Sequence, residues 1–105
     1  MAWKTNKYKA KITTRDGKKF ASKLEADYYS KLKFWKKSGI VDFFLQQVPF
    51  HLPGNTKYVV DFQIFWSCGT VSFVDVKGVE TAMFKLKKKQ VEDLYPVEIE
   101  VVKSV

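Results

Sequence analysis

Apolar residues recur at helical spacing near the start of the chain. They are separated by three or four residues, which places their side chains on one face of a helix. The recurring positions are Leu24, Tyr28, Leu32 and Trp35. Ser22 stands where an N-cap residue belongs, and Ser38-Gly39 provides a termination signal. The pattern predicts an amphipathic helix from about residue 22 to residue 38.

Three later segments have the composition of β-strands. Gln47–Leu52 is short, and Pro49 indicates an edge strand because proline cannot donate a hydrogen bond to a ladder. Tyr58–Trp66 and Thr70–Lys77 are rich in β-branched and aromatic residues. The turn-forming segments that separate them are Pro53-Gly54-Asn55-Thr56 and Ser67-Cys68-Gly69.

A second helix and a last strand complete the pattern. The helix is predicted from about Thr81 to Leu94, because Pro96 cannot continue it. Apolar and acidic residues then alternate from Val97 to Val101, as in a strand. A strand that follows a helix pairs in parallel with an earlier strand through a crossover. The order helix, three strands, helix, strand predicts an α/β domain with a mixed central sheet flanked by the two helices.

The composition fits one globular domain preceded by a basic arm. The chain has 105 residues, of which 46% are hydrophobic and 16% aromatic. Residues 1–19 are basic and end in a turn-like sequence, so we expect an arm with little fixed structure or a short strand. The domain proper would span residues 20–105. The aromatic residues expected in its core are Phe34, Trp35, Phe43, Phe44, Phe62 and Phe65.

The charge balance favours a polyanionic partner. Nineteen lysines and arginines face eleven acidic residues, which gives a net charge of +8. Nucleic acid is the usual partner of so basic a domain, and an anionic membrane surface or an acidic protein would also fit. The single cysteine, Cys68, suits a reducing cytoplasm. Because there is neither a signal peptide nor a bilayer-spanning apolar run, we expect a cytoplasmic protein with no membrane partner.

The candidate chemistry begins with Asp75 and Lys77. They stand in Phe73-Val74-Asp75-Val76-Lys77, and the two-residue period of a strand places both side chains on one face. One interpretation is a metal-binding carboxylate beside a lysine that touches the attacking water or the scissile phosphate. The other is an ion pair at the end of a strand, which this spacing alone favours.

Asp61 adds a second carboxylate to the same region. A two-residue turn would set Asp61 opposite Val76, whereas a three-residue turn beginning at Ser67 sets it directly opposite Asp75. Three-residue hairpin loops favour glycine at their third position, where Gly69 stands. The turn therefore favours the register that brings the two carboxylates together.

Two carboxylates that face each other across a strand pair repel unless a cation lies between them. Their oxygens suit Mg²⁺, which takes one or two carboxylates and completes its octahedron with water and phosphate oxygens. Glu25 has two interpretations. Ser22 and Glu25 match a capping box, in which Glu25 only stabilises the helix start. If the first helix packs across the open end of the sheet, Glu25 instead supplies a third carboxylate.

In this order, the segments resemble the PD-(D/E)xK nucleases, a superfamily with the restriction-endonuclease-like fold. The matching segments are Ser22-Lys23-Leu24-Glu25, Gln47-Val48-Pro49-Phe50, Tyr58-Val59-Val60-Asp61-Phe62 and Asp75-Val76-Lys77-Gly78. The resemblance runs from about Phe20 to Val102 and is greatest to small phage-encoded nucleases. The chain is also similar to transposase endonuclease subunits and archaeal Holliday-junction resolvases. It has Val60 where the family has proline, a change that leaves the aspartate in place.

The resemblance implies a restriction-endonuclease-like core and a magnesium- or manganese-dependent DNA endonuclease. Branched DNA such as a Holliday junction is among the implied substrates. The implied catalytic residues are Glu25, Asp61, Asp75 and Lys77. The implied metal ligands are the carboxylates of Asp61, Asp75 and Glu25 and the backbone carbonyl of Val76. No small-molecule cofactor is expected, and the implied source is a phage gene expressed in a bacterial host. A homodimer is expected, because so small a domain has little surface with which to grip DNA.

Lysines of the second helix and of the arm are the candidate DNA contacts, through phosphates rather than bases. They are Lys85, Lys87, Lys88, Lys89, Lys7 and Lys9. A solvated helix face is the simpler interpretation of the helical lysines. Two other functions stay open: a non-catalytic basic nucleic-acid-binding protein of phage origin, and a structural phage protein whose charge reflects its assembly partners.

Overall fold

A computed structural model describes residues 12–105 as an α/β domain with two helices and a mixed sheet. The main sheet has the strand order β3-β4-β5-β6, in which β5 and β6 are parallel and the other neighbours antiparallel. The elements are β1 Thr13–Arg15, β2 Lys18–Phe20, α1 Lys23–Lys37, β3 Val41–Leu52, β4 Thr56–Trp66, β5 Val71–Val76, α2 Ala82–Leu94 and β6 Ile99–Val102. The predicted order of helices and strands and the mixed sheet are confirmed. In the described part of the chain, neither helix is long and apolar enough to cross a membrane.

Helix α1 begins and ends at the residues that the sequence indicates. Ser22 is extended, and its hydroxyl oxygen accepts a hydrogen bond from the Glu25 amide at 3.1 Å. After the last turn, Gly39 adopts a φ of 84°, a conformation that glycine adopts without a steric penalty. The helix buries Tyr28 and Leu32 against the sheet, as the predicted stripe requires.

The C-terminal part of the predicted basic arm forms a hairpin attached to α1. Strands β1 and β2 pair across the two-residue turn Asp16-Gly17, where both residues have positive φ angles, as in a type I′ turn. The Arg15 guanidinium donates to the Asp27 carboxylate at 3.1 Å and to the Ser30 hydroxyl at 2.9 Å. Where one short strand was expected, the structure therefore has two, β1 and β2. Lys7 and Lys9 lie outside the described residues.

Strand β3 is longer than predicted. It runs through twelve residues from Val41, whereas the sequence indicated only Gln47–Leu52. Its first half contains three consecutive apolar residues, 43–45, so the alternation that marks a strand is hidden there. Register shifts between Val41 and Phe43, where the strand bulges. The edge position that Pro49 predicts is confirmed, because β3 has one neighbour in the sheet.

Two apolar clusters cover the sheet, one under each helix. Beneath α1 the cluster contains Phe62 and Ile64 of β4 with Val74 and Val76 of β5. Beneath α2 the cluster includes Phe84 and Val91 of the helix, and also Tyr58, Val60, Phe73 and Ile99 from the strands. Val60 and Phe62 are two residues apart, so a regular strand would point both side chains to the same face. They nevertheless belong to different clusters, Val60 beneath α2 and Phe62 beneath α1. The face that β4 presents to each helix therefore changes around Asp61.

The expected aromatic core is correct in part. Phe62 is fully buried, and its ring lies 5.5 Å from that of Tyr28. Phe34 and Phe43 were expected in the core but are 66% and 45% exposed. Phe34 lies off the apolar stripe of α1, and Phe43 stacks on Phe65 with ring centroids 4.2 Å apart on the sheet surface. Composition predicts aromatic burial in general, and the helical and strand faces decide which rings are covered.

These two phenylalanines provide a matched test of the core. Phe62→Ala should lower the free energy of unfolding by about 3–5 kcal/mol, because it leaves a cavity between α1 and the sheet. Phe34→Ala should change it by no more than about 0.5 kcal/mol, since that ring already faces water. Urea denaturation followed by circular dichroism measures both. Equal losses in the two variants would contradict the assignment of the core.

Candidate active site

The ladder between β4 and β5 stops where the two aspartates meet. It runs from the pair Phe65–Val71 to the pair Phe62–Val74, and one further step would set Asp61 opposite Asp75. This is the predicted register. Its cause is also confirmed: the turn has three residues, the Trp66 amide donates to the Thr70 carbonyl at 2.9 Å, and Gly69 has a φ of 95°. We call the point where the ladder ends, at Asp61 and Asp75, the fork.

At the fork, carboxylates replace the missing ladder bonds. The backbone amide of Asp61 donates to Oδ1 of Asp75 at 3.0 Å, and the backbone amide of Val76 donates to Oδ2 of Asp61 at 2.9 Å. Each aspartate thus accepts an N–H from the opposite strand. The other oxygen of Asp75 accepts a hydrogen bond from the Tyr58 hydroxyl, and Asp75 is only 1% exposed. The two aspartates are therefore structural parts of the fork as well as candidate ligands.

Glu25 lies beside the fork, in the first turn of α1. It is 6% exposed, and its carboxylate accepts a hydrogen bond from Nε2 of Gln47 at 3.3 Å. Among the described residues, the Ser22 amide that a complete capping box would use is not a partner of this carboxylate. The Ser22 hydroxyl alone caps the helix, so the Glu25 side chain is free to face the cleft.

Two cavities open on this cluster. The first has a volume of about 340 Å³ and the second about 300 Å³; Glu25 and Asp61 line both. The first is also lined by Val76 and Lys77, so four of the five predicted site residues meet there. The second is closed by Lys19 and Phe20 of the hairpin and by Gln46 and Gln47 of β3. Asp75 lines neither cavity and lies behind Asp61.

Burial raises the pKa of all three carboxyl groups. The pKa of Glu25 rises to about 7, first because the group is buried and second because of the charge of Asp61. Burial raises the pKa of Asp75 to about 6 and also raises that of Asp61. The charge of Lys77 opposes each rise, which shows that it lies within electrostatic range of all three. The positive charge of Lys77 is therefore too small to make the simultaneous ionisation of all three carboxyl groups favourable.

Lys77 is held between the cleft and α2. Its backbone amide donates to the Val102 carbonyl at 3.0 Å, which fixes the residue at the end of β5. Its Nζ lies 5.0 Å from the ring centroid of Phe84, in the first turn of α2, within the range of a cation–π interaction. The start of α2 therefore borders the cleft.

The oxygen atoms in the first cavity fit a hard divalent cation. Mg²⁺ binds through one or two carboxylates and keeps several water or phosphate oxygens, and Glu25 and Asp61 supply two carboxylates at one cavity wall. Within residues 12–105 no three His, Cys, Asp or Glu side chains are arranged as a ready-made metal site. The two carboxylates fit an open magnesium site, in which water or phosphate oxygens complete the coordination. The predicted ligand Asp75 does not line this cavity.

One polar residue of the site was missed from the sequence. Gln47 donates to Glu25 and, at 3.4 Å, to Oδ1 of Asp61. It begins the segment Gln47-Val48-Pro49-Phe50 that resembles the nuclease family, but that resemblance gave it no role in the site. Only the pairing of β3 with β4 and the packing of α1 bring it to the carboxylates.

The α2 lysines have unequal surroundings. Lys85 and Lys89 are exposed, whereas Lys88 pairs with Glu92 at 3.1 Å and Lys87 is half-buried. Lys85 stands in the first turn of the helix, near the cleft, and Lys89 follows one turn later. These two are therefore the freest candidates for phosphate contacts on α2.

The chain belongs to a known family of proteins. A family model described as protein of unknown function (DUF1064) matches residues 5–105, which is nearly the whole chain. A search of curated proteins and a search of solved structures found no match.

The raised pKa of Glu25 predicts an unusual pH dependence. Between pH 4.5 and about 7 the folded protein holds a proton on Glu25 that the unfolded chain has released. Because the folded state binds more protons, the free energy of unfolding of the metal-free protein should fall as the pH rises through this range. Asp75, with a pKa raised from 3.8 to about 6, acts in the same direction.

Glu25→Gln removes this titration and should reduce the fall by of order 1–3 kcal/mol. Urea denaturation at pH 5 and pH 8 in EDTA measures it. Glu98→Gln, at an exposed position, is the control and should keep the slope of the parent. An unchanged slope in Glu25→Gln would show that Glu25 ionises in the folded protein as it does in the unfolded chain.

Proposed function

We propose that this chain, which belongs to a family of unknown function, is a divalent-metal-dependent endonuclease that hydrolyses phosphodiester bonds in DNA. The observation that carries the proposal is the cluster of the buried Glu25 and Asp75 and the half-buried Asp61 beside Lys77. Three carboxyl groups with raised pKa values, in a chain of net charge +8, need a reason to stand together. A bound cation would supply the missing positive charge and make their proximity favourable.

The roles of the residues follow from their places in the cleft. Glu25 and Asp61 would hold the cation, because both line the first cavity. A divalent cation there polarises a phosphodiester and generates a nucleophile from water at neutral pH. Asp75 would position Asp61 through the Asp61 amide, and Lys77 would orient the water or neutralise charge that develops on the phosphate. The backbone of Val76 lies at the same wall and would complete the set of oxygens.

The arrangement of elements supports the same proposal. The resemblance to PD-(D/E)xK nucleases requires acidic residues from one helix and two adjacent strands to converge. Here α1, β4 and β5 bring Glu25, Asp61 and Asp75 to one point of a mixed sheet. We therefore propose a restriction-endonuclease-like core. The proposal includes DNA, of which branched forms are candidates, and a homodimer, because one small domain offers limited surface for gripping a duplex.

A second candidate function is non-catalytic nucleic-acid binding. The observation that favours it is the structural use of Asp61 and Asp75, whose carboxylates cap backbone amides at the fork. A binding protein could keep both residues for this purpose alone. It would have no need for a buried glutamate beside them, and for that reason we favour the nuclease.

Lys77→Met separates the two functions. Methionine keeps apolar contact with Phe84 but has no charge, so the variant should fold, bind DNA nearly as the parent does, and lose at least about a hundredfold in cleavage rate. Plasmid and four-way-junction DNA incubated with Mg²⁺ or Mn²⁺ provide the assay, and EDTA should abolish cleavage by the parent.

Lys57→Met is the matched control, since Lys57 is an exposed lysine near the start of β4 and lines neither cavity. It should cleave like the parent. If the parent binds these DNAs with salt-sensitive affinity but cleaves none of them with either metal, the nuclease proposal fails and the binding function stands.

The α2 lysines provide a test of the DNA surface. Replacing Lys85 and Lys89 with alanine should weaken DNA binding and flatten its salt dependence by about one unit of log–log slope per lost phosphate contact. Lys36 and Lys37 are the control pair, at the end of α1 about 18 Å from Glu25. Fluorescence anisotropy over a range of salt concentrations measures both. A similar change in the two double variants would mean that general charge, and not this face, determines binding.

A further inference from the structure

Gln47 joins two side chains of the cleft through a single group. Its side-chain nitrogen lies 3.3 Å from Oε2 of Glu25 and 3.4 Å from Oδ1 of Asp61. A primary amide carries two N–H groups, one for each carboxylate. The amide therefore lies against both carboxylates and shields them from each other, which is where a shared cation would also lie.

The backbone of Gln47 is set in an uncommon conformation. Its φ is 54°, in the left-handed region that residues other than glycine seldom adopt. The flanking residues pair regularly with β4, Gln46 with Phe62 and Val48 with Val60, but Gln47 itself makes no Cα pair with Asp61. Such local strain in an otherwise regular strand clusters at functional sites. Here it coincides with a side chain that reaches the carboxylates.

The Gln47 amide also has an oxygen atom, which suits the divalent cation proposed to lie between Glu25 and Asp61. Half a turn about the last side-chain bond exchanges the nitrogen and oxygen of an amide, and amide carbonyls are among the hard oxygen ligands that bind divalent cations. Without a cation, the nitrogen is the favourable end when the carboxyl groups are ionised. With a cation between them, the oxygen becomes the favourable end.

We propose that Gln47 is a further residue of the metal site, where it bridges Glu25 and Asp61 in the metal-free protein and offers its amide oxygen to the cation they bind. The inference rests on the proposed metal-dependent function and adds a ligand to it. Gln47 also lines the second cavity, beside Glu25 and Asp61. A merely structural bridge would hold the carboxylates without contributing to affinity for the ion.

Calorimetric titration with Mg²⁺ or Mn²⁺ chloride in the absence of DNA tests the proposal. Gln47→Ala should weaken metal binding about tenfold. Gln47→Asn should weaken it similarly, because asparagine keeps the amide and tolerates the left-handed backbone but is one methylene too short to reach both carboxylates. This variant separates the loss of reach from backbone strain.

Gln47→Glu distinguishes a ligand from a bridge. Glutamate has an oxygen for the cation and no N–H for the carboxylates, so it should bind metal at least as tightly as the parent while lowering the melting temperature of the metal-free protein. Gln46→Ala is the matched control. Gln46 lines the same cavity but bonds to Lys18, so its loss should leave metal affinity unchanged.

The outcomes separate this proposal from the one it rests on. If the parent binds metal and Gln47→Ala binds it equally well, or if Gln47→Glu binds no more tightly than Gln47→Ala, Gln47 is not a ligand and the nuclease proposal stands. If the parent binds neither metal, the metal-dependent function fails and the role of Gln47 fails with it.

Discussion

The exchange of hydrogen bonds at the fork is the constraint on which the rest of the site depends. Where β4 leaves β5, two backbone amides lose their ladder partners, and buried amides without partners are costly. The Asp61 and Asp75 carboxylates accept both N–H groups. Apolar residues at these positions would leave both amides unsatisfied. The sheet can therefore open at this point because side chains with acceptor oxygens stand there.

The opening of the sheet creates the cleft and also stresses it. Burying carboxyl groups disfavours their charged forms, and the nearby Glu25 adds a third. Among the described residues, Lys77 is the one cation whose charge acts on all three groups. Clustering these carboxyl groups lowers the free energy of unfolding near neutral pH and brings several oxygen atoms together. Folding alone does not require such a cluster, which is the physical basis for assigning it a function.

Local signals predicted the parts of the molecule that local physics determines. The stripe and Ser22 located α1, and glycine at the third turn position set the register that places Asp61 opposite Asp75. The limits of β3 and the backbone of Gln47 could not be predicted, because they depend on how β3 pairs with β4 and where α1 lies. The place of Asp75, behind Asp61 and against Tyr58, was missed for the same reason: strand alternation gives the face of a residue but not its depth.

The opposed charges of the cleft and the chain give the proposed nuclease an order of events. A net charge of +8 attracts DNA from a distance, since lysines across the surface act together. At close range the ionised Glu25 and Asp61 would repel a phosphate that enters the first cavity. Neutralising them is therefore a condition for substrate entry as well as for chemistry. In such a site, metal and DNA should favour each other's binding. The cation removes the repulsion between the carboxylates and the phosphate, and the phosphate supplies a further negatively charged oxygen to the cation.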